Sequence, residues 1–168
     1  MASSGTAVMT LPVDTEILVT REFDAPRELV WRAWTEPDLV SQWWPGQRGR
    51  MTTCEIDLRV GGAYRYVMEA AEGFEVAFHG EYREIEAPSR LVCTEIFEGA
   101  PEPAVAPINV ISFEAIEERT LLTMRTIVDS QELRDIIANS GMETGMQEGL
   151  DLLEQVAAAL GEAATPAQ

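Results

Sequence analysis

The chain holds no lysine, a single histidine and only two cysteines among its 168 residues. Each scarcity removes a class of function. Cys54 and Cys93 lie in separate segments with no C-x-x-C spacing, and His79 is the one imidazole, so no metal centre is expected. The glycine pair Gly61-Gly62 has the wrong spacing for a phosphate-binding loop, and no lysine exists to complete one. No segment approaches the roughly eighteen uninterrupted apolar residues of a spanning helix, so membrane insertion is not expected. The first residues, Met1 to Val8, carry neither a basic patch nor a long apolar run and do not read as a signal peptide. The expected setting is cytoplasmic, with reduced thiols. Positive charge is scarce too: 12 basic residues, all arginine, face 29 acidic ones, a net charge of −17. Such a polyanion repels phosphate backbones, which excludes nucleic acid and anionic membrane surfaces as partners.

What is present is globular. With 46% hydrophobic and 24% charged residues, wholesale disorder is excluded. The length suits one domain, which buries about two thirds of its unfolded surface and needs no disulfide. Residues 1–13 read as a flexible leader, 14–160 as the domain and 161–168 as a flexible tail.

Hydrophobic periodicity orders the domain. Glu16 to Phe23 alternates, with Ile17, Val19, Arg21 and Phe23 on one face, and predicts a strand. The period then becomes helical. Pro26 fits a first turn with Asp24 or Ala25 as cap, and Leu29, Val30, Ala33 and Trp34 follow at helical spacing. Thr35-Glu36-Pro37-Asp38 has the form of a capping box and restarts a second short helix ending near Trp43. Strands follow at Thr52 to Val60, Ala63 to Glu69, Glu75 to Ile85 and Leu91 to Phe97, with Gly61-Gly62 as a two-residue hairpin loop. After an irregular Pro-containing loop, Asn109 to Ala115 and Thr120 to Ile127 form a last hairpin. Met142 to Leu160 is helical and about 28 Å long, the width of a strand of seven or eight residues. The expected fold is α+β: a curved antiparallel sheet of six or seven strands wrapped around a long C-terminal helix, with two short helices after the first strand. A sheet bent round one helix tends to enclose an internal space, and that is where function is expected.

Several motifs resemble one bacterial family: Phe23-Asp24-Ala25-Pro26, Val30-Trp31-Arg32-Ala33-Trp34-Thr35, Glu36-Pro37, Gln42-Trp43-Trp44 and Asp57-Leu58-Arg59-Val60-Gly61-Gly62. It is the branch of the START-like superfamily (SRPBCC, helix-grip, Bet v 1-like) named after the activator of the heat-shock protein 90 ATPase. The order of elements agrees from Thr15 to Leu160. The resemblance implies a hydrophobic cavity between the sheet and the C-terminal helix, in which the position that often carries a tryptophan is Met146. Its members include lipid carriers, cyclases and cochaperone domains, so the fold alone does not choose among functions. Eukaryotic chaperone activators carry a separate N-terminal domain that the dozen leader residues do not supply; a chaperone partner is therefore not the expectation.

Weighed residue by residue, the expected ligand-binding set is Trp34, Trp43, Trp44, Tyr64, Tyr66, Phe78, Phe113, Met142, Gly145, Met146 and Gly149, with Arg21 and Glu95 as polar groups. Packing is the stronger expectation for Trp31 and Trp34, whereas the adjacent Trp43 and Trp44 must point apart, which puts one of them near solvent or a pocket. Gly141, Gly145 and Gly149 form a stripe explained either by close helix approach or by room left for a ligand. An inward arginine needs a partner, and Glu95 offers one for Arg21 as a structural ion pair. Asp57 and Arg59 exchange charge across their hairpin. His79 is the weak catalytic candidate, because no nucleophile motif accompanies it. The reading is non-catalytic binding of a small hydrophobic or aromatic molecule without metal or cofactor. Its rivals are a cyclase, aromatase or hydrolase in the same cavity and a chaperone ATPase regulator. A homodimer through an edge strand stays open in each case.

Overall fold

The structure, a computed structural model, describes residues 6–99 and 105–164. In chain order the elements are β1 (Val8–Thr10), β2 (Glu16–Phe23), α1 (Arg27–Thr35), α2 (Pro37–Val40), β3 (Gly49–Ile56), β4 (Ala63–Ala70), β5 (Glu75–Glu86), β6 (Arg90–Thr94), β7 (Ile96–Phe97), β8 (Ile108–Ile116), β9 (Arg119–Ile127), α3 (Gln131–Ala138) and α4 (Met142–Ala164). The strands form one antiparallel sheet in the order β1-β2-β9-β8-β6-β5-β4-β3, with β7 paired to β5 off that path. It is an α+β helix-grip fold: the first long strand joins the last, and α4 lies across the concave face.

Alternation places one row of each strand under α4. On β2 the buried row is Ile17, Val19, Arg21 and Phe23. On α4, Leu150, Leu153, Val156 and Ala157 join one core cluster with Val30 and Ala33 of α1 and with Leu91 and Ile111 of the sheet. Each fully buried leucine or valine contributes about 1.5–3 kcal/mol. At 1.5 Å per residue, α4 is roughly 34 Å long, enough to cross the sheet.

The sheet has nine strands rather than six or seven. Val8–Thr10, assigned to the leader by sequence, pairs with β2 through Val8↔Thr20, Met9↔Val19 and Thr10↔Leu18. It thereby covers a row of backbone groups that would otherwise form an open edge. The strand expected over Leu91 to Phe97 breaks at Glu95, whose N–H donates to the Pro107 carbonyl at 2.9 Å; beyond the break Phe97 pairs with Phe78 on β5. Thr35 does not cap α2. Its hydroxyl donates back to the Trp31 carbonyl at 2.8 Å, and Glu36 stands at the N-cap without a side-chain bond. Pro26, expected in the first turn of α1, is itself the N-cap residue. Helix α3 was not expected from periodicity; the Ser130 hydroxyl caps it by accepting from the Leu133 N–H at 3.1 Å. No helix among the described residues is long and apolar enough to cross a membrane.

Candidate functional site

Under the N-terminal half of α4, the inner sheet face is a ladder of aromatic rings. Tyr82 lies 5.4 Å from Tyr64, Tyr64 lies 5.0 Å from Tyr66, and Tyr66 lies 5.3 Å from Trp44 (centroid to centroid). Trp44 continues to Phe78 at 5.5 Å, and Phe78 to Phe97 at 5.2 Å. The ladder runs from a fully enclosed ring, Tyr82 at 2% exposure, to a surface ring, Phe97 at 43%. Each edge-on or tilted pair adds about 0.5–1.5 kcal/mol beyond area burial. Gly80 makes the inner end fit: a Cβ there would fall 1.9 Å from the Thr94 carbonyl oxygen and 2.7 Å from the Tyr64 hydroxyl. Without that Cβ, the Tyr64 hydroxyl donates to the Thr94 carbonyl at 2.6 Å.

The two adjacent tryptophans do part company. Trp43 is buried, its indole N–H donates to the Ala33 carbonyl at 2.7 Å, and its ring lies 4.8 Å from Trp34. Trp31 and Trp34 meet Phe113 edge-on at 5.5 and 5.8 Å. These residues fasten α1 and the following turn to the sheet. Trp44 is half-buried and belongs to the ladder. Met142 and Met146 are half-buried against the same core.

Of the two α4 glycines nearest the site, Gly149 sits in a close approach and Gly145 has ordinary contact room. A Cβ on Gly149 would stand 3.3 Å from the Trp43 carbonyl oxygen, and one on Gly145 would stand 3.5 Å from the Arg48 guanidinium. Gly141, at φ +87°, separates α3 from α4. Along this face ring packs against ring. The two best-formed hollows among the described residues both open on the surface. One, of about 330 Å³, is lined by Gly49, Arg50, Glu69, Ala70, Ala71 and Gly73. The other, of about 290 Å³, lies between the start of α1 and the end of α4.

The polar groups are arranged differently from the sequence expectation. Arg21, with 1% of its side chain exposed, does not pair with Glu95; it reaches α4, meeting Asp151 at 2.6 Å and Glu154 at 3.4 Å. The physical reason is the helix itself, which lays its acidic face over β2, while Glu95 lies beyond the break in β6. There the Glu95 carboxylate accepts from the Asn109 amide at 3.2 Å, and the Asn109 carbonyl accepts from the Thr126 hydroxyl at 2.7 Å. Burial raises the Glu95 carboxyl above the ordinary carboxylate range, partly offset by the Asn109 hydrogen bond. Burial, then the nearby Glu95 charge, holds the Tyr64 phenol well above its usual value, and burial does the same for Tyr66. Burial and then Glu95 push the Cys93 thiol up to about 12. The phenols and the thiol are held protonated and lie close to Glu95: the chemistry offered is hydrogen bonding inside an aromatic wall. Asn109, Thr126 and Tyr82 were missed by sequence reading; only the parity of Tyr82 with Phe78 signalled it.

His79 faces the outside of the sheet. Its Nδ1 is 2.8 Å from the Glu98 carboxylate, which also binds Arg65 at 2.9 Å. The Arg65 and His79 hydrogen bonds lower the Glu98 carboxyl to about 2. Asp57 and Arg59 pair at 2.8 Å within the loop itself. Among the described residues no group of His, Cys, Asp and Glu could hold a metal ion.

The fold and these motifs have counterparts. The sequence pattern of the family described as activator of Hsp90 ATPase homolog 1-like protein matches residues 24–158. The chain belongs to that family. Among solved structures, a Rhodobacter sphaeroides protein is 28% identical with a TM-score of 0.82, over 92% of this chain and 99% of that one. An Arthrobacter aurescens protein is 26% identical with a TM-score of 0.80, over 90% and 91%. An AHSA1-like protein from Aeromonas hydrophila shares the fold at 21% identity and a TM-score of 0.64, over 90% and 99%. No curated protein matches the chain significantly. For this activator-homologue family the helix-grip scaffold is thus established, and its members commonly place a hydrophobic ligand-binding cavity between sheet and helix.

Proposed function

We propose that this protein binds a small apolar or aromatic molecule, without chemical change, between the inner sheet face and the N-terminal half of α4. The observation that carries the reading is the aromatic ladder from exposed Phe97 to enclosed Tyr82. A globular core closes with aliphatic side chains as readily as with six rings in series. A continuous ring path from solvent inward provides a surface on which a flat apolar molecule can exchange places with side chains. Met142 and Met146 border it with unbranched, adaptable thioethers. Binding draws on apolar burial at about 25 cal/mol per Å².

A catalytic reading has no such support. His79 is held on the outer face, and the interior phenols and thiols are kept protonated. The test is native mass spectrometry of protein purified from its own host, expected to show a co-purified small molecule released on unfolding. Bare protein there, together with no saturable uptake of any apolar dye, refutes binding. A chaperone ATPase assay with the same preparation separates the regulator reading: the binding reading expects no change in rate.

A further inference from the structure

Among the described residues, Glu95 is an acid of the inner face that has no ion-pair partner. Glu95 stands at the break between β6 and β7, near the phenols of Tyr64 and Tyr66 and the thiol of Cys93. Its orientation is set by a relay across three adjacent strands. The Thr126 hydroxyl donates to the Asn109 carbonyl, and the Asn109 amide donates to Oε1 of Glu95. With the Thr126 hydroxyl donating to its carbonyl, the Asn109 amide N–H is directed at that oxygen. Oε2 accepts no hydrogen bond from the described residues. Asn109 and Thr126 are buried, whereas Glu95 is half-buried.

No hydrogen bond or ion pair joins an arginine to Glu95 among the described residues. Arg21 is engaged by Asp151 and Glu154. Arg27 reaches the Phe113 carbonyl, four residues along β8 from Asn109, roughly 14 Å at the strand rise. Arg48 faces Glu148 at 3.6 Å. A ligand carboxylate would therefore be buried beside Glu95 with no cation paired to it, and an uncompensated buried charge is strongly unfavourable.

We infer that the site selects by charge: it takes neutral or cationic apolar molecules with a hydroxyl, carbonyl or amine head, it rejects carboxylates, and Glu95 sets this preference. The inference rests on the binding reading above. A protonated Oε2 donates to a carbonyl or hydroxyl oxygen, and an ionised one accepts from a hydroxyl or ammonium. The ionised form repels a carboxylate, and the protonated form can hydrogen-bond one only with that charge buried and without a cation beside it.

The experiment uses the full chain with Nile red as a neutral reporter. It is displaced at neutral pH by phenylbutanol, phenylbutylamine and phenylbutyrate, three heads on one apolar body. The alcohol and the amine are expected to displace the dye, and the carboxylate to do so about tenfold or more weakly. The gap should persist in about 1 M potassium chloride, where the Debye length of about 3 Å removes repulsion from the acidic surface. In Glu95→Gln the gap between carboxylate and alcohol should narrow, and any advantage of the amine over the alcohol should be lost. Equal displacement by carboxylate and alcohol, a gap that disappears in salt, or an undiminished gap in Glu95→Gln each overturns the inference while leaving binding intact. Absence of saturable Nile red binding overturns the binding reading and this inference with it. The wild-type salt series decides the matter even where the variant does not fold.

Discussion

Arg21 offers the sharpest test of how α4 is held. Its guanidinium is buried on β2, 2.6 Å from Asp151, 3.4 Å from Glu154 and 5.1 Å from the centre of the Phe23 ring. Arg21→Met keeps an unbranched apolar stem and removes the charge. Asp151 is 50% exposed and Glu154 25%, so both carboxylates can rehydrate, and the loss falls short of the 3–5 kcal/mol of a wholly buried pair. It should be about 1–3 kcal/mol, the range for hydrogen bonds to charged groups. Arg21→Ala also deletes the buried methylenes at about 0.8 kcal/mol each and leaves a void, for a total of about 3–5 kcal/mol. Urea unfolding with a shared slope measures both. Two variants within about 0.5 kcal/mol of wild type, the size of an ordinary surface change, would refute the claim that this pair pins the helix.

Other outcomes follow from the same geometry. Trp43→Phe removes the indole N–H and leaves the Ala33 carbonyl buried without it; a loss of about 1–3 kcal/mol is expected by urea unfolding, and a change under 0.5 kcal/mol contradicts the assigned bond. Glu98 has a folded pKa of about 2 against an ordinary value near 4.3. Its stabilisation is therefore present above about pH 4.3 and lost as pH falls toward 2. The Tm of wild type should exceed that of Glu98→Gln at neutral pH and converge with it in acid; a gap independent of pH rejects the ion pairs as its source. Cys93, with its thiol near 12, should resist a thiol reagent in the native protein at mildly alkaline pH and react after unfolding. Rapid native modification at Cys93 argues against its enclosure. Met146→Trp should weaken Nile red uptake, whereas unchanged affinity places the ligand away from that side chain.

Local patterns made much of this fold readable, and non-local pairing hid the rest. The alternation of Ile17, Val19, Arg21 and Phe23 identified the inner row of β2, and the divergence of Trp43 and Trp44 followed from adjacency alone. The partner of Arg21 was not readable, because every acid of matching parity was a candidate and only the seating of α4 selects Asp151 and Glu154. Glu95 was correctly singled out as a polar group, yet its true partner depends on a strand break that the Pro107 carbonyl helps to make. The four-residue spacing of Gly145 and Gly149 announced a geometric reason without saying that the Trp43 carbonyl comes near Gly149. Val8–Thr10 is too short for its pairing to rise above the leader's composition, and α3 presents Ile136 to solvent, which weakens its periodicity.

The central claim is that the aromatic interior admits a guest. Titration of the full-length protein with Nile red, followed by the blue shift of its emission, tests that most directly. The account predicts saturable uptake by the wild-type chain that weakens in Met146→Trp. A linear, non-saturating response equal in both proteins would contradict it.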